Sequence, residues 1–501
     1  MMRKLLYSTV CGVLLAGTSL AAAGGPAPDA ASQPSPALAA IAGQGMLNSH
    51  ANTILERLSD DIGGRVTGSP QAQQAIDWAV GQMKAIGLQN VHTESWQLWQ
   101  GWQRISADAE MVAPVRHPLM IDAMGWVGST APGGADAEVV PVNLYQMDEE
   151  VKDHSSQWSG KVLLMEAKGP RPKDRLSTFT HFGDFLKKAY AAHAVAVIGG
   201  QGGAKATGMH ITHTGILGFA ASYQIPVVSM AAEDQAQIER FLDRGKKVVL
   251  HINVQNRFTP GPVPSANVVG EIVGTEHPEQ VVVVGGHLDS WDLSEGATDD
   301  GSGVAVALGA ANAIVESGYK PKRTIRFVLF TGEEQGLLGS LAYVKRHQDE
   351  MSNHVAALIL DNGQGPVVTF QTGGRNDIDS ALQGFVKTVK AFGAIGVTDE
   401  TGFGEDTGPF ILAGLPGINF DQDSPNYKYT HHSVVDTFDH QDPAILDRNA
   451  TLMALTAFWI ANRPERLASP WPATETAKML EDQHQEDFLK AVGLWKFDSA
   501  K

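Results

Sequence analysis

The stretch from Gly285 to Gly303, GGHLDSWDLSEGATDDGSG, restricts what this chain can fold into more than any other. It follows four consecutive valines, Val281 to Val284, a β-branched run of the length expected for a strand buried on both faces. It precedes Val304 to Val315, VAVALGAANAIV, an Ala-rich run of helical length. A strand, a polar loop and a helix in that order form the repeating unit of an α/β sheet with right-handed crossovers. Such sheets bind ligands beyond the carboxyl ends of their strands. There the loop offers His287 and Asp289, then Asp299 and Asp300. Imidazole and carboxylate are both ligands that zinc accepts.

The same pattern recurs downstream. Thr324 to Phe330 reads as a strand that runs into Thr331-Gly332-Glu333-Glu334-Gln335-Gly336 and then a helical Leu337 to Arg346. Val355 to Leu360 is a further strand, ending in Asp361-Asn362. Gly404-Glu405-Asp406 precedes Pro409-Phe410, and the strand-like Gly417 to Phe420 leads to Tyr427 through Asp436, which contains His431-His432. Taken singly, each residue has an ordinary explanation. A strand-end histidine is commonly structural, an acid pair commonly starts a solvated helix, and Asp361 is suited to capping a turn. Successive strands that all deliver acids or histidines to one sheet edge point instead to a single site.

At 501 residues the chain exceeds what one hydrophobic core usually supports, so two domains are expected. Residues 46–112 read as the first part of a catalytic domain. They include a helix over Gln71–Ile86 that Gly87 closes as a C-cap. Residues 113–256 change texture to short β-rich runs with two helical stretches, and read as a smaller α/β domain inserted into the first. Within it, Met209 to His213 carries an H-x-x-H pair without nearby acids, which reads as a surface loop. The catalytic part resumes over 257–465, and 466–501 forms a tail with a helix from Thr474 to Leu494. The fold class is therefore α/β: a mostly parallel sheet flanked by helices, with an inserted smaller α/β domain.

Residues 1–23 have the form of a secretory signal, with Arg3-Lys4, an apolar Leu5 to Leu20 and Ala21-Ala22-Ala23. An Ala/Pro/Ser-rich linker over 24–45 follows. Cys11, the one cysteine, lies inside the signal, so metal ligands of the mature chain must be histidine and carboxylate. The formal charge of −17 argues against a nucleic-acid partner. No later stretch is apolar enough to span a bilayer, so no stable membrane insertion is expected after cleavage.

The order H-x-D, G-A-x-D-D-x-S-G, G-E-E-x-G-x-x-G-S, a strand-end Asp and H-S-x-x-D-T resembles the co-catalytic zinc exopeptidases of the aminopeptidase and glutamate carboxypeptidase type. The HLDSWD wording is most similar to the carboxypeptidase Q branch, and the inserted segment resembles a protease-associated (PA) domain. The resemblance implies two Zn²⁺ per chain. His287 and Asp361 would hold one ion, Glu334 and a later histidine the other, and Asp299 would bridge both opposite a bridging water or hydroxide. Glu333 would be the general base, and Asp289 would orient His287 through its second ring nitrogen. The spacing of family ligands, four residues before an acid, selects His432 ahead of Asp436 and leaves His431 open. Manganese or cobalt suits the same ligands.

The implied activity is hydrolysis of dipeptides or short peptides with a free N-terminus, outside the cytoplasm, in the periplasm or secreted. Glu405 and Asp406 would receive the substrate ammonium. An aminopeptidase acting on longer peptides stays open, as does a homodimer. A single-zinc glutaminyl cyclase and a receptor-like binding protein are the other readings, and the full ligand set speaks against both.

Overall fold

The computed structural model describes residues 35–170, 175–199, 209–361, 363–394 and 396–498. The expected signal, Cys11, the first part of the linker, Asn362 and the last three residues lie outside the described residues. Two eight-stranded sheets form the molecule. β1 (Gln89–Leu98) belongs to the first sheet. β2 (Gly101–Ala113), β3 (His117–Leu119), β4 (Ile121–Ala123), β5 (Ala135–Asn143), β6 (Lys161–Glu166), β7 (Ala196–Ile198), β8 (Val227–Met230) and β9 (Val249–Thr259) build the second. The chain then returns to the first sheet with β10 (Val263–Ile272), β11 (His277–His287), β12 (Arg323–Phe330), β13 (His354–Ile359), β14 (Val367–Gln371), β15 (Gly396–Thr398) and β16 (Gly417–Gln422).

The first sheet runs β1-β10-β12-β11-β13-β16-β14-β15. Its centre, β12-β11-β13-β16, is parallel throughout. The flanks add three antiparallel pairs, β1 with β10, β10 with β12 and β14 with β16, and one more parallel pair, β14 with β15, so parallel pairing prevails in a sheet with antiparallel margins. Strand patterning alone does not distinguish these directions, because an edge strand can be reached by a hairpin or a crossover.

Val281 to Val284 lie at the middle of this sheet, buried on both faces. Below them the helix Ser302–Glu316 is buried along almost its whole length. Its small side chains are what allow this. A Cβ on Gly309 would come within 3.0 Å of Ala450 and 3.2 Å of Ala51, so the helices Ala51–Asp61 and Pro443–Asn462 pack almost backbone to backbone against it. Residues 36–48, expected largely as linker, instead form a helix packed on the same layer. Ser35 caps it, Ile41 is buried, and Gly45 sits where any Cβ would strike Thr451. The Ala/Pro composition that suggested a linker also serves a capped helix in close contact. The helix Pro70–Ile86 forms as expected, capped by Ser69 and ended by Gly87 at φ +92°.

The second sheet runs β3-β2-β9-β5-β6-β7-β8-β4 and has its own apolar core. β2 pairs with β9 from Gly101 to Ala113, so the expected boundaries at 113 and 256 cut through a continuous ribbon. Composition changes at Ala113, but backbone pairing does not. A tryptophan cluster joins the two sheets: Trp96 on β1, Trp102 on β2, then Trp126 and Trp291. The tail forms two helices, Ala473–Asp482 and Glu486–Ala491, separated by His484 at φ +58°. They bury Leu480 and Leu489 against Phe403 and Leu412.

Candidate metal centre and active site

Each of the four central parallel strands ends at one edge, and each delivers part of one cluster. β11 ends at His287, β12 leads three residues on to Glu333 and Glu334, β13 leads to Asp361, and β16 leads through the short helix Tyr427–Thr430 to His431 and His432. Asp299 enters from the turn before the helix Ser302–Glu316.

The geometry divides into two groups that share one carboxylate. His287 Nε2 lies 3.2 Å from Asp299 Oδ1 and 3.4 Å from Asp361 Oδ1. His432 Nε2 lies 3.2 Å from Asp299 Oδ2 and 2.9 Å from Glu334 Oε2. His431 is further off, with Nε2 3.8 Å from Asp299 Oδ2 and its ring stacked on His432 at 3.8 Å. Glu333 Oε2 is 3.8 Å from His287 Nε2. Among the described residues, Asp299 Oδ2 and Glu334 Oε1 are buried without a hydrogen-bond partner. Buried carboxylate oxygens left this way cost free energy unless a cation meets them. The donor set therefore fits divalent metal on either side of Asp299, with His287 and Asp361 on one side and His431 and His432 on the other, where Glu334 lies 2.9 Å from His432.

The crowding of carboxylates also shows in the electrostatics of the cluster. Burial pushes Glu333 and Glu334 well above the usual carboxylate range; Asp361 and Glu334 add to it at Glu333, and Asp299 and Asp289 at Glu334. Burial alone would depress the His287 imidazole, but Asp361 and Asp299 beside it hold it well above its ordinary value. Burial likewise lowers His431, to about 4, with the neighbouring His432 adding to the effect.

Asp289 lies in the cluster, but its carboxylate is not what orients His287. The Nδ1–H donates to the Asp289 backbone carbonyl at 2.9 Å, and the carboxylate stands 3.7 Å away. That carboxylate accepts from the Thr67 hydroxyl at 2.9 Å and from the Glu333 amide at 3.3 Å, so it fixes the Glu333 turn. The strand end leaves the carbonyl nearer the ring than the side chain that follows it. Asp436 accepts from the amides of Thr298 and Asp299, at 2.6 and 3.2 Å, and so holds the bridging residue's backbone.

Glu405 and Asp406 separate. Glu405 lines a cavity of about 360 Å³ together with Glu333, Asp361, Tyr427, His431 and Phe219. Asp406 is 1% exposed, and burial pushes its carboxyl up to about 7 against the opposing effect of His287. It is not among the residues that line the cavity, although its charge acts on Glu333. The two acids are adjacent, just before the helix Gly408–Leu412.

Several site residues had no role assigned to them from the sequence. Asp300 accepts from the His287 amide at 3.0 Å and the Gly303 amide at 2.8 Å, tying the strand end to the helix start. Arg65 is fully buried and donates to the carbonyls of Leu288, Glu295 and Gly296, which frame the loop between His287 and Asp299. The only signal for it was an arginine among closely spaced glycines, Gly63-Gly64 and Gly68. The H-x-x-H segment also departs from expectation. His210 is exposed, but His213 is buried and its Nδ1 lies 2.9 Å from the His431 carbonyl.

Comparison with known proteins gives concordant results. Residues 267–457 match the model of peptidase family M28. Carboxypeptidase Q of Mus musculus is 30% identical over 433 residues, covering 85% of this chain and 90% of that protein. The crystal structure of a peptidase M28 precursor from Shewanella amazonensis SB2B superposes with a TM-score of 0.76 at 28% identity, covering 87% of this chain and 99% of that one. BSAP, a zinc aminopeptidase from Bacillus subtilis, shares the fold with a TM-score of 0.63 at 21% identity, over 84% of this chain and 97% of its own.

Proposed function

Because the chain belongs to peptidase family M28, we propose that this metallopeptidase is an exported two-zinc exopeptidase acting on dipeptides and other short peptides with a free amino terminus. The observation that carries the reading is the division of the Asp299 carboxylate, one oxygen toward His287 and Asp361 and the other toward His432 and Glu334. His287 and Asp361 would hold one ion, Glu334 and His432 the other, and Asp299 both. Bound there, the ions would polarise the scissile carbonyl and acidify water enough for attack near neutral pH.

The chain's own groups supply the rest. Glu333 faces the cavity, and its carboxylate would accept a proton from the attacking water and return it to the leaving amine. Asp289 keeps Glu333 in place through the backbone amide. Glu405 on the wall would receive the substrate ammonium through a charge-assisted hydrogen bond. His431, on the same wall, would face substrate rather than metal. A cavity of about 360 Å³ is at the small end for ligand sites, and Ile216 and Phe219 of the inserted PA-like segment close one side of it. Both features favour short substrates. The leader at residues 1–23 would direct export. Among the described residues no helix is long and apolar enough to cross a membrane.

Elemental analysis of the purified mature chain should give close to two zinc ions, and chelation should abolish hydrolysis. N-acetylation of a dipeptide should remove most activity. One metal per chain with full activity would overturn the two-ion reading. Efficient cleavage of acetylated peptides, or internal cleavage of a folded protein, would overturn the exopeptidase assignment, and undiminished rates on C-terminally lengthened peptides would move it to an aminopeptidase.

A further inference from the structure

His432 adopts φ +54°, a left-handed conformation that a histidine rarely holds without support. Such residues persist where the surroundings over-determine them. Here much of that support comes from the second sheet rather than from the strands that bear the other cluster residues. The Thr214 amide donates to the His432 carbonyl at 2.8 Å, and the Val434 amide donates to the Thr212 carbonyl at 3.3 Å. The His213 Nδ1–H donates to the His431 carbonyl at 2.9 Å. The two backbone bonds make an antiparallel bridge between His213 and Ser433, and the imidazole bond lies beside it.

The bridging segment is itself firmly held. Thr212 donates to Asp122 at 2.5 Å, the His213 amide to the Ser229 hydroxyl at 3.2 Å, and the Thr214 hydroxyl to the Ala123 carbonyl at 3.0 Å. Asp122 and Ala123 lie on β4 and Ser229 on β8, while Arg104 of β2 donates to the Thr214 hydroxyl at 3.1 Å. Arg104 also pairs with Asp292 at 2.9 Å, in the loop between His287 and Asp299. Thr212, His213 and Thr214 are all buried.

We propose that Thr212–Thr214 is a clamp by which the second sheet positions His432, so that metal affinity on the His432 side of Asp299, and not on the His287 side, depends on the inserted segment. The inference rests on the reading of His432 as a ligand. His213 and Thr214 act as positioning residues: they touch only the backbone of the turn that presents the imidazole. Removing a partner that orients a ligand typically costs about 10–100-fold in metal affinity.

The test is zinc titration of the full mature chain against a chromogenic chelator. His213→Phe keeps a ring of similar size and loses the donor. It should weaken one of two zinc equivalents by about 10–100-fold and leave the other unchanged. His213→Asn, whose side-chain N–H can take the place of Nδ1–H, should recover most of the loss, which a merely space-filling role would not allow. Equal weakening of both equivalents, or of neither, in a variant with wild-type circular dichroism would overturn the clamp. Should His213→Phe fail to fold, His213→Gln, which displaces the donor by one methylene, is read by the same criterion. The underlying reading is tested separately: wild-type protein that binds two zinc ions and keeps both in His432→Ala would refute His432 as a ligand, whatever His213 does. If the wild type binds a single zinc, the two-ion reading fails, and the clamp then stands or falls on whether His213→Phe weakens that one ion.

Discussion

Replacing Arg65 with methionine should loosen the loop that carries the chain from His287 to Asp299. The guanidinium is fully buried, and it donates to the carbonyls of Leu288 at 2.5 Å, Glu295 at 2.8 Å and Gly296 at 2.9 Å, with Gly63 further off at 3.3 Å. Methionine fills a similar space and donates nothing. The Gly296 carbonyl keeps the Gly301 amide at 3.1 Å, and a buried carbonyl left without a partner costs about 1–3 kcal/mol, so the other two set a range of about 2–6 kcal/mol. Two effects adjust that range in opposite senses. Burial disfavours the charged guanidinium, so its removal returns some free energy, while Asp436, Asp289, Asp300 and Asp299 lose a nearby cation. Removing one member of a buried charged set typically costs about 3–5 kcal/mol, and we take about 4 as the net. For 501 residues the unfolding entropy is about 1 kcal/mol/K, so a cooperative transition should shift down by about 4 °C. Scanning calorimetry reads the shift, and zinc content with dipeptide turnover reads the loop. Arg65→Lys should recover less than half of the loss, because an ammonium cannot fork toward three carbonyls. A methionine variant that melts within about 1 °C of wild type, with undiminished zinc and turnover, would show that the arginine does not hold this loop.

Three further outcomes are expected. Glu333→Gln should keep both metals and lose about 10²–10⁴-fold in kcat; loss of a metal from this variant, with both retained in Glu334→Gln, would mean that the two glutamates exchange roles. His432→Ala should lower metal content while His431→Ala leaves it near wild type, since only His432 lies within 3.2 Å of both Asp299 and Glu334; the reverse pattern in matched metal analyses would make His431 the ligand. His354 is buried neutral, with Nδ1 donating to the Glu350 carbonyl and Nε2 accepting from Tyr343, and burial holds its pKa down at about 4. The unfolded chain takes up that proton below about 6.5 and the folded chain only below about 4, so stability falls between those values, by on the order of 3 kcal/mol from this group. His354→Gln should flatten that acid limb in melting temperature against pH, and an unaltered slope would place the dependence elsewhere.

The strand, loop and helix around His287 were legible because burial on both faces demands an unbroken β-branched run, and Val281 to Val284 are one. The acids and histidines of the cluster were legible for a related reason: parallel strands end on one edge, so chemistry repeated at strand ends must converge. Gly87 as a helix stop and the Ala-rich helix after Asp300 follow from local conformational preference, which sequence states directly. What the sequence could not express were contacts made through backbone groups. A carbonyl carries no residue identity, so nothing in Arg65 announced Leu288, Glu295 and Gly296 as its acceptors. The exchange of the Asp289 carboxylate for its carbonyl at His287 was hidden for the same reason.

Adjacent side chains posed a second problem. Glu405 and Asp406 look alike in sequence, but Glu405 lines the cavity and Asp406 is buried outside its lining. His431 and His432 are likewise separated only by the backbone between them, with φ +54° at His432. Residues 36–48 became a helix, not a linker, because Gly45 meets Thr451 from a helix more than 390 positions away. The extent of the second sheet was set by the pairing of β2 with β9, a register of hydrogen bonds that crosses the change in composition at Ala113. Local sequence thus determined which groups could do chemistry and on which kind of element they would lie. Tertiary structure decided which way each one points and what holds it there, since both depend on partners distant in the chain and on backbone atoms that every residue shares.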